Sequence, residues 1–144
     1  MKATGEVMSI DRTFEAAIMK AVRSLEIGLH WLRLKNADEL TESDIDKMLV
    51  TATDERLFVV AEALRRGYSV ERIARLSNID PWFLEKILNI IKMENELRER
   101  ADELRAITSG QIAAQPGAID LLRRAKEMRF PDKVISNLTG ALEN

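Results

Sequence analysis

Apolar residues recur at intervals of three and four along most of the chain, which is the spacing of one face of an α-helix. Divided at capping and breaking residues, the pattern predicts seven or eight helices, the clearest over residues 14–25, 42–49, 57–64, 70–76, 82–104, 118–128 and 131–138. The segment from 82 to about 104 is predicted to be the longest helix. Residues 4–10, with β-branched side chains and a glycine, predict a short extended segment and are the strand candidate of this sequence.

Polar residues and glycines mark where these helices begin and end. Thr41 and Asp44 have the spacing of a capping box ahead of a short helix. Pro81 follows Asp80, and proline fits the first position of a helix. The remaining N-caps are expected at Asp11 or Thr13, Asp54 and Ser69, and the terminating glycines at Gly28, Gly67 and Gly140. Residues 29–40 and 108–117 are predicted to be loops or turns.

An internal repeat relates two of the predicted helical corners. Residues 63–77 align with residues 125–139 at an offset of 62, and both segments read as helix, aromatic turn and capped short helix. We interpret them as a duplicated helical hairpin in which Tyr68 and Phe130 are matching core anchors. Chance similarity between two helical corners is the alternative.

The aromatic residues Tyr68, Trp82, Phe83 and Phe130 are the candidates for packing or for an interface. Trp82 and Phe83 are expected in the core or in an intersubunit contact. The predicted core consists of Phe14, Ile18, Leu57, Phe58, Leu64, Tyr68, Ile73, Leu76, Trp82, Phe83, Ile87, Leu121, Phe130, Ile135 and Leu138.

Composition narrows the class of protein. The chain has 144 residues, of which 46% are hydrophobic and 32% charged, so it is long and apolar enough for a compact domain. Strong helix formers dominate, which favours an all-α fold. We expect this helical fold to have two lobes. Twenty-two basic residues against 24 acidic ones give a net charge of −2 and no general attraction for phosphate or anionic lipid. Cysteine is absent and no segment resembles a signal peptide or membrane span, so we expect a cytoplasmic protein without membrane contact.

The sequence offers little that could perform catalysis. His30 is the single histidine, whereas zinc and iron sites use three or four His or Cys ligands. Glu94 and Glu96 alternate with basic residues as on a solvated helix face. Phosphate-binding glycine loops and nucleophile elbows are also missing. We therefore predict no catalytic, cofactor-binding or metal-binding residue in this chain.

A helix-turn-helix pattern over residues 69–88 raises DNA binding as the alternative function. Arginines cluster around it, at Arg65, Arg66, Arg72 and Arg75. However, the second helix would bring Asp80, Trp82 and Glu85 to the end that should meet base edges, where acidic and bulky groups are unfavourable.

Several strings resemble the large chain of carbamoyl-phosphate synthetase. They are residues 5–15 (GEVMSIDRTFE), 20–26, 54–58, 62–67, 79–84 (IDPWFL), 125–128 and 138–140, in the order that the family has them. The resemblance implies an all-helical, non-catalytic oligomerisation domain between two homologous ATP-grasp synthetase halves. Residues 1–27 would be the tail of the first half and residues 28–144 the oligomerisation domain.

For the parent chain, the resemblance implies an ATP-dependent carbon–nitrogen ligase that makes carbamoyl phosphate for arginine and pyrimidine synthesis. Its substrates would be bicarbonate, ATP and ammonia from glutamine, with Mg or Mn, and none of these would bind within this chain. The implied partners are the two synthetase halves, a glutaminase small chain and a second copy, without nucleic acid.

Two positions depart from the pattern of the family. Asp11 and Arg129 stand where the family usually has glycine. If either turn needs a positive φ, a side chain there is strained.

Overall fold

The computed structural model describes residues 7–25 and 31–140, and these are helical without a β-strand. The helices are α1 (Phe14–Ser24), α2 (Glu42–Val50), α3 (Arg56–Arg65), α4 (Val70–Ser77), α5 (Pro81–Glu99), α6 (Ala101–Thr108), α7 (Pro116–Glu127) and α8 (Asp132–Thr139), with a short 3₁₀ turn at Ala37–Glu39. The all-α prediction is confirmed. Within the predicted extended segment, residues 7–10 have no regular structure, and residues 4–6 lie outside the described part of the chain.

Three predicted N-caps are confirmed by their hydrogen bonds. The Thr13 hydroxyl accepts from the amide of Ala16 at 3.2 Å. The Ser69 hydroxyl accepts from the amide of Arg72, the third residue of α4. Thr41 and Asp44 form a full capping box, because each side chain accepts from the other residue's amide. The expected stop at Gly28 lies outside the described residues.

The cap predicted at Asp54 is wrong. The N-cap of α3 is Glu55, which makes no side-chain capping bond. The Arg56 amide donates to the Thr53 carbonyl at 3.2 Å, so a turn occupies residues 53–56 and delays the helix. The Glu55 carbonyl then accepts the first helical bonds, from Phe58 and Val59, and Asp54 is left inside the turn.

The helix predicted from 82 to about 104 is interrupted. Arg100, with φ −101° and ψ 17°, ends α5 and precedes α6. Its guanidinium donates to Glu103 at 2.8 Å and to the Gly117 carbonyl at 2.8 Å. A Cβ on Gly117 would come within 3.4 Å of that guanidinium, so the glycine permits the approach. Buried Leu97 and Leu104 continue the apolar spacing across the break, which is why the pattern did not reveal it.

The described residues divide into two compact units, in agreement with the predicted two lobes. The middle unit consists of residues 32–91, and the terminal unit of residues 7–25, 31 and 92–140. In the middle unit, α2 packs against α3 and α4, which also contact each other. In the terminal unit, α6 packs against α8. The boundary predicted at residue 27 falls outside the described residues and stays a prediction.

Each unit contains one copy of the predicted hairpin, α3–α4 in the middle unit and α7–α8 in the terminal unit. Gly67 and Arg129, which the offset of 62 pairs, both have a left-handed backbone, with φ of 83° and 66°. The next residues, Tyr68 and Phe130, each donate their amide to the carbonyl five residues earlier at 3.0 Å. This is the Schellman geometry of a helix C-terminus in both copies.

The second helices of the two hairpins also end alike. Asn78 and Gly140, again related by the offset, both have a left-handed backbone, with φ of 55° and 66°. Ile73 and Ile135 are buried at equivalent positions. The repeat is therefore one backbone arrangement used twice, since the C-terminal caps and the buried positions coincide. The N-terminal caps differ, because the Ser69 hydroxyl caps α4 whereas Pro131 makes no side-chain capping bond to α8.

Candidate interaction surface

The structure separates the four candidate aromatic residues into two pairs. Tyr68 and Phe130 are buried, with 7% and 1% of their surface exposed. Trp82 and Phe83 are 50% and 44% exposed. The prediction that Trp82 and Phe83 belong to the core is therefore wrong, whereas their role in an interface stays a prediction.

The rest of the predicted core is largely confirmed. The buried members are Phe58, Leu64, Ile73, Ile87, Leu121, Ile135 and Leu138. Four others, Phe14, Ile18, Leu57 and Leu76, are half-buried.

Tyr68 joins three elements of the middle unit. Its hydroxyl donates to the Glu42 carbonyl at 3.3 Å, and the Arg72 guanidinium lies 3.7 Å from its ring centroid. Arg72 also binds both oxygens of Asp46 at 2.9 Å. Burial raises the pKa of Tyr68, and the Asp46 charge raises it further. The ion pair between Arg72 and Asp46 thus covers the Tyr68 ring and connects α4 to α2.

Phe130 occupies the equivalent position in the terminal unit, with a different set of polar neighbours. Its carbonyl accepts from the Lys126 ammonium at 3.4 Å, and Lys126 also pairs with Asp132 at the start of α8. The ring itself is 1% exposed. Phe130 therefore acts as a core anchor, as its alignment with Tyr68 predicts.

Trp82 and Phe83 lie in the first turn of α5 and are held there by Asp80. The Asp80 side chain accepts from the Trp82 amide at 2.8 Å, and its carbonyl accepts from the Phe83 amide at 3.1 Å. The two rings meet edge to face, with centroids 5.0 Å apart and planes at 89°. The Lys86 ammonium lies 5.2 Å from the Trp82 ring centroid. This cluster of Trp82, Phe83 and Lys86 is called the aromatic surface below.

Helical position explains why sequence pattern misplaces the aromatic surface. The buried stripe of α5 begins at Leu84 and continues through Ile87 and Ile90. The first turn of the helix lies ahead of that stripe. Hydrophobic periodicity assigns large aromatic residues such as Trp82 and Phe83 to the core. It does not show at which residue the buried face of the helix begins.

The prediction of a solvated acidic face on α5 is wrong for Glu94. Glu94 is fully buried, with Arg98 at 3.7 Å, because it lies on the same stripe as Ile87 and Leu97. Glu96 is partly exposed and accepts from Arg124 of α7 at 2.9 Å. The Arg124 bond lowers the pKa of Glu96.

Three of the four arginines that suggested DNA binding, Arg65, Arg66 and Arg72, make contacts within the middle unit. Arg66 donates to Glu62 at 2.9 Å and to the carbonyls of Leu40 and Ala37 at 2.8 and 2.6 Å. Arg65 donates to the Leu32 carbonyl. These bonds tie the segment before α2 to α3, and Arg72 is engaged by Asp46 as described above. The structure thus gives the DNA-binding alternative no support.

Residues 7–25 and 31–140 contain no group of three or more His, Cys, Asp or Glu side chains placed to hold a metal ion. His30 lies outside these ranges. Among the described helices, none has the length and apolar character needed to cross a bilayer.

The geometry defines an all-helical domain in which a duplicated hairpin supplies the packing and aromatic side chains are exposed at one helix start. Residues 6–144 match the family described as carbamoyl-phosphate synthetase large chain, oligomerisation domain. The chain therefore belongs to that family.

Curated relatives agree with this assignment. The chain is 46% identical to the carbamoyl phosphate synthase large chain of Methanothrix thermoacetophila over 97% of its residues and 12% of that protein. It is 45% identical to the large chain of Agathobacter rectalis over 96% of its residues, and 43% identical to that of a Thermoanaerobacter species over 99%, again 12% of each relative. The chain thus spans about one-eighth of the length of these relatives.

Proposed function

We propose that this chain is the non-catalytic scaffold between the two ATP-grasp halves of a long synthetase chain, and that it acts by packing. The observation that carries the proposal is the match of almost the whole chain to 12% of relatives named as the synthase large chain. A domain that occupies this small share of a long enzyme needs no reactive group of its own.

The chemistry belongs to the parent chain. It would make carbamoyl phosphate from bicarbonate, ATP and ammonia released from glutamine by a glutaminase small chain, with Mg or Mn bound in the synthetase halves. Arginine and pyrimidine synthesis in the cytoplasm would consume the product. The contribution of this domain would be to hold the halves in place.

The polar contacts support a packing role. Arg66, Arg100 and Arg124 each bind two or more partners inside a single unit. Planar guanidinium groups that bridge carbonyls and carboxylates give a helical unit a defined shape. A scaffold requires such a defined shape.

Self-association is the second part of the proposal. The isolated domain should associate weakly, because in the intact enzyme the synthetase halves hold neighbouring domains together. Sedimentation of the isolated chain should show a monomer in equilibrium with a weak oligomer, and a tight dimer at nanomolar concentration would contradict this part.

The whole proposal is tested in the full-length chain, purified with its glutaminase partner. A variant in which a flexible linker replaces residues 31–140 should lose glutamine-dependent carbamoyl phosphate synthesis, whereas the isolated 144-residue chain should have no synthetase activity. Undiminished synthesis in the deleted variant would refute a scaffold role. Salt-sensitive DNA binding by the isolated chain would instead favour the alternative.

A further inference from the structure

The break between α5 and α6 has no local cause in the sequence. Sharp breaks in a helix usually lie at proline or glycine. Residues 96–104 (ELRERADEL) contain neither and consist almost entirely of strong helix formers. Buried Leu97 and Leu104 lie seven residues apart, which is the spacing of one continuous helical face. The local sequence therefore favours a single helix through Arg100, and contacts elsewhere in the terminal unit must impose the break.

The break is confined to one residue. The Arg100 amide donates to the Glu96 carbonyl at 3.2 Å, and the Arg100 carbonyl accepts from the Leu104 amide at 3.0 Å, so helical bonding resumes on both sides. The amides of residues 101–103 belong to the first turn of α6, where a helix offers them no carbonyl of its own. In a continuous helix they would donate to the carbonyls of residues 97–99. A change of backbone at Arg100 alone would restore those bonds.

The α7–α8 hairpin attaches to both sides of the break. On the α5 side, Arg124 of α7 donates to both carboxylate oxygens of Glu96, with the bond to Oε2 at 2.9 Å. On the α6 side, α8 packs against α6. At the break itself, the Arg100 guanidinium donates to the carbonyl of Gly117, in the first turn of α7, at 2.8 Å. Each side is thus held by a different helix of one hairpin.

The attachments on the two sides differ in kind. The side chains of Arg124 and Glu96 are 40% and 38% exposed, and that of Arg100 is 30% exposed. Partly exposed polar contacts exchange readily with contacts to water. By contrast, α6 and α8 carry the buried residues Leu104 and Leu138. Release of the two arginines would therefore free α7 from the α5 side while α6 and α8 stay packed together.

We propose that residues 96–104 form a two-state hinge that Arg100 and Arg124 hold in its bent state. When their guanidinium groups bind the Gly117 carbonyl and Glu96, α5 and α6 are separate helices. When these contacts are released, α5 and α6 join into one helix through Arg100, and α6 moves together with α8. A group that competes for either arginine shifts the balance between the two states. The hinge is a property of the terminal unit and does not depend on the proposed function.

Hydrogen–deuterium exchange of the protein at its native length tests the hinge. Exchange is read at single amides by fragmentation in the mass spectrometer, for the wild type and for the double variant Arg100→Met with Arg124→Met. Methionine keeps an unbranched side chain and a high helix propensity but has no donor. The matched control is Arg123→Met, because Arg123 is also on α7 and pairs with Asp120 of the same helix.

The amides of residues 101–103 should exchange several-fold more slowly in the double variant than in the wild type, because they gain helical bonds. The control should exchange like the wild type, and Ile135 and Leu138 of α8 should keep their protection in all three proteins. A variant that is only destabilised loses protection, so a gain at these amides distinguishes the hinge from a purely structural role. Unchanged exchange at residues 101–103, or faster exchange throughout α6 and α8, would overturn the proposal.

Discussion

Asp11 and Arg129, 118 positions apart in the chain, form an ion pair in which Arg129 Nε donates to Asp11 Oδ2 at 2.8 Å. These are the two positions at which the resemblance to the family predicts glycine. Arg129 keeps the left-handed backbone, with φ 66°, that a glycine would adopt freely. The ion pair joins the segment ahead of α1 to the α7–α8 turn, so the two departures are linked in space.

Arg129→Gly is predicted to stabilise the domain. The left-handed backbone costs a residue with a Cβ about 1–2 kcal/mol. Relief of this strain by glycine should outweigh loss of the ion pair, in which Arg129 is half-exposed, and raise the free energy of unfolding. Urea denaturation of the purified chain measures this change. The gain should be larger in an Asp11→Asn background, where no ion pair is lost, and equal gains in both backgrounds would show that the pair has no energetic role.

Acid pH provides a control for the same pair. The Arg129 hydrogen bond, followed by the Arg12 amide, lowers the pKa of Asp11 below 3.8. A carboxylate with a lowered pKa contributes stability that is present above its unfolded pKa and lost as the pH falls through its folded pKa. The difference in free energy of unfolding between the wild-type chain and Asp11→Asn should therefore disappear as the pH falls through the lowered pKa of Asp11, and urea denaturation at a series of acidic pH values measures it.

The two aromatic pairs should respond differently to truncation. Phe130→Ala and Tyr68→Ala remove buried anchors and should each lower the free energy of unfolding by about 3–5 kcal/mol. Trp82→Ala removes a half-exposed ring and should cost less than about 1 kcal/mol. Thermal and urea unfolding measure all three. A Trp82→Ala variant as unstable as Phe130→Ala would mean that the aromatic surface is structural.

Arg66 should be sensitive even to a conservative change. Lysine cannot reach Glu62 and the carbonyls of Leu40 and Ala37 together, since it lacks the planar fork of arginine. Arg66→Lys should cost about 1–3 kcal/mol of unfolding free energy. Arg75→Lys, at an exposed position of α4, is the matched control and should change stability by less than about 0.5 kcal/mol. Equal effects would argue that Arg66 is a surface residue in solution.

Glu96 should make part of the stability depend on pH. Its hydrogen bonds with Arg124 hold its pKa below 4.5, so its contribution is present above pH 4.5 and lost as the pH falls through the lowered pKa. Both side chains are close to 40% exposed, so the contribution at neutral pH is about 1 kcal/mol or less. Urea unfolding at a series of pH values should show Glu96→Gln less stable at neutral pH and equal to wild type in acid. A constant difference would exclude ionisation as its origin.

Local signals predicted most of the helix boundaries, because caps and terminating glycines act over three or four residues. The repeat was visible for the same reason, since Gly67 and Asn78 and their partners at the offset of 62 occupy the same turns. What sequence could not provide depends on contacts between distant residues. The break at Arg100 requires Gly117, and the burial of Glu94 depends on packing around α5.

The candidate surface was predicted only in part. All four aromatic residues were found from the sequence, but composition and period cannot separate a buried ring from an exposed one. The alignment with Tyr68 placed Phe130 in the core, whereas Trp82 and Phe83 have no counterpart in the described part of the second copy. Their exposure follows from their position ahead of the buried stripe of α5.

The central claim, that this chain is a domain of a long synthetase chain, is tested most directly by the size of the protein in its source cells. A denaturing gel of whole-cell lysate, probed with an antibody raised against residues 31–140, gives that size in one step. The account predicts a single band far larger than 16.4 kDa, since the chain spans 12% of its relatives. A band at 16.4 kDa would contradict it.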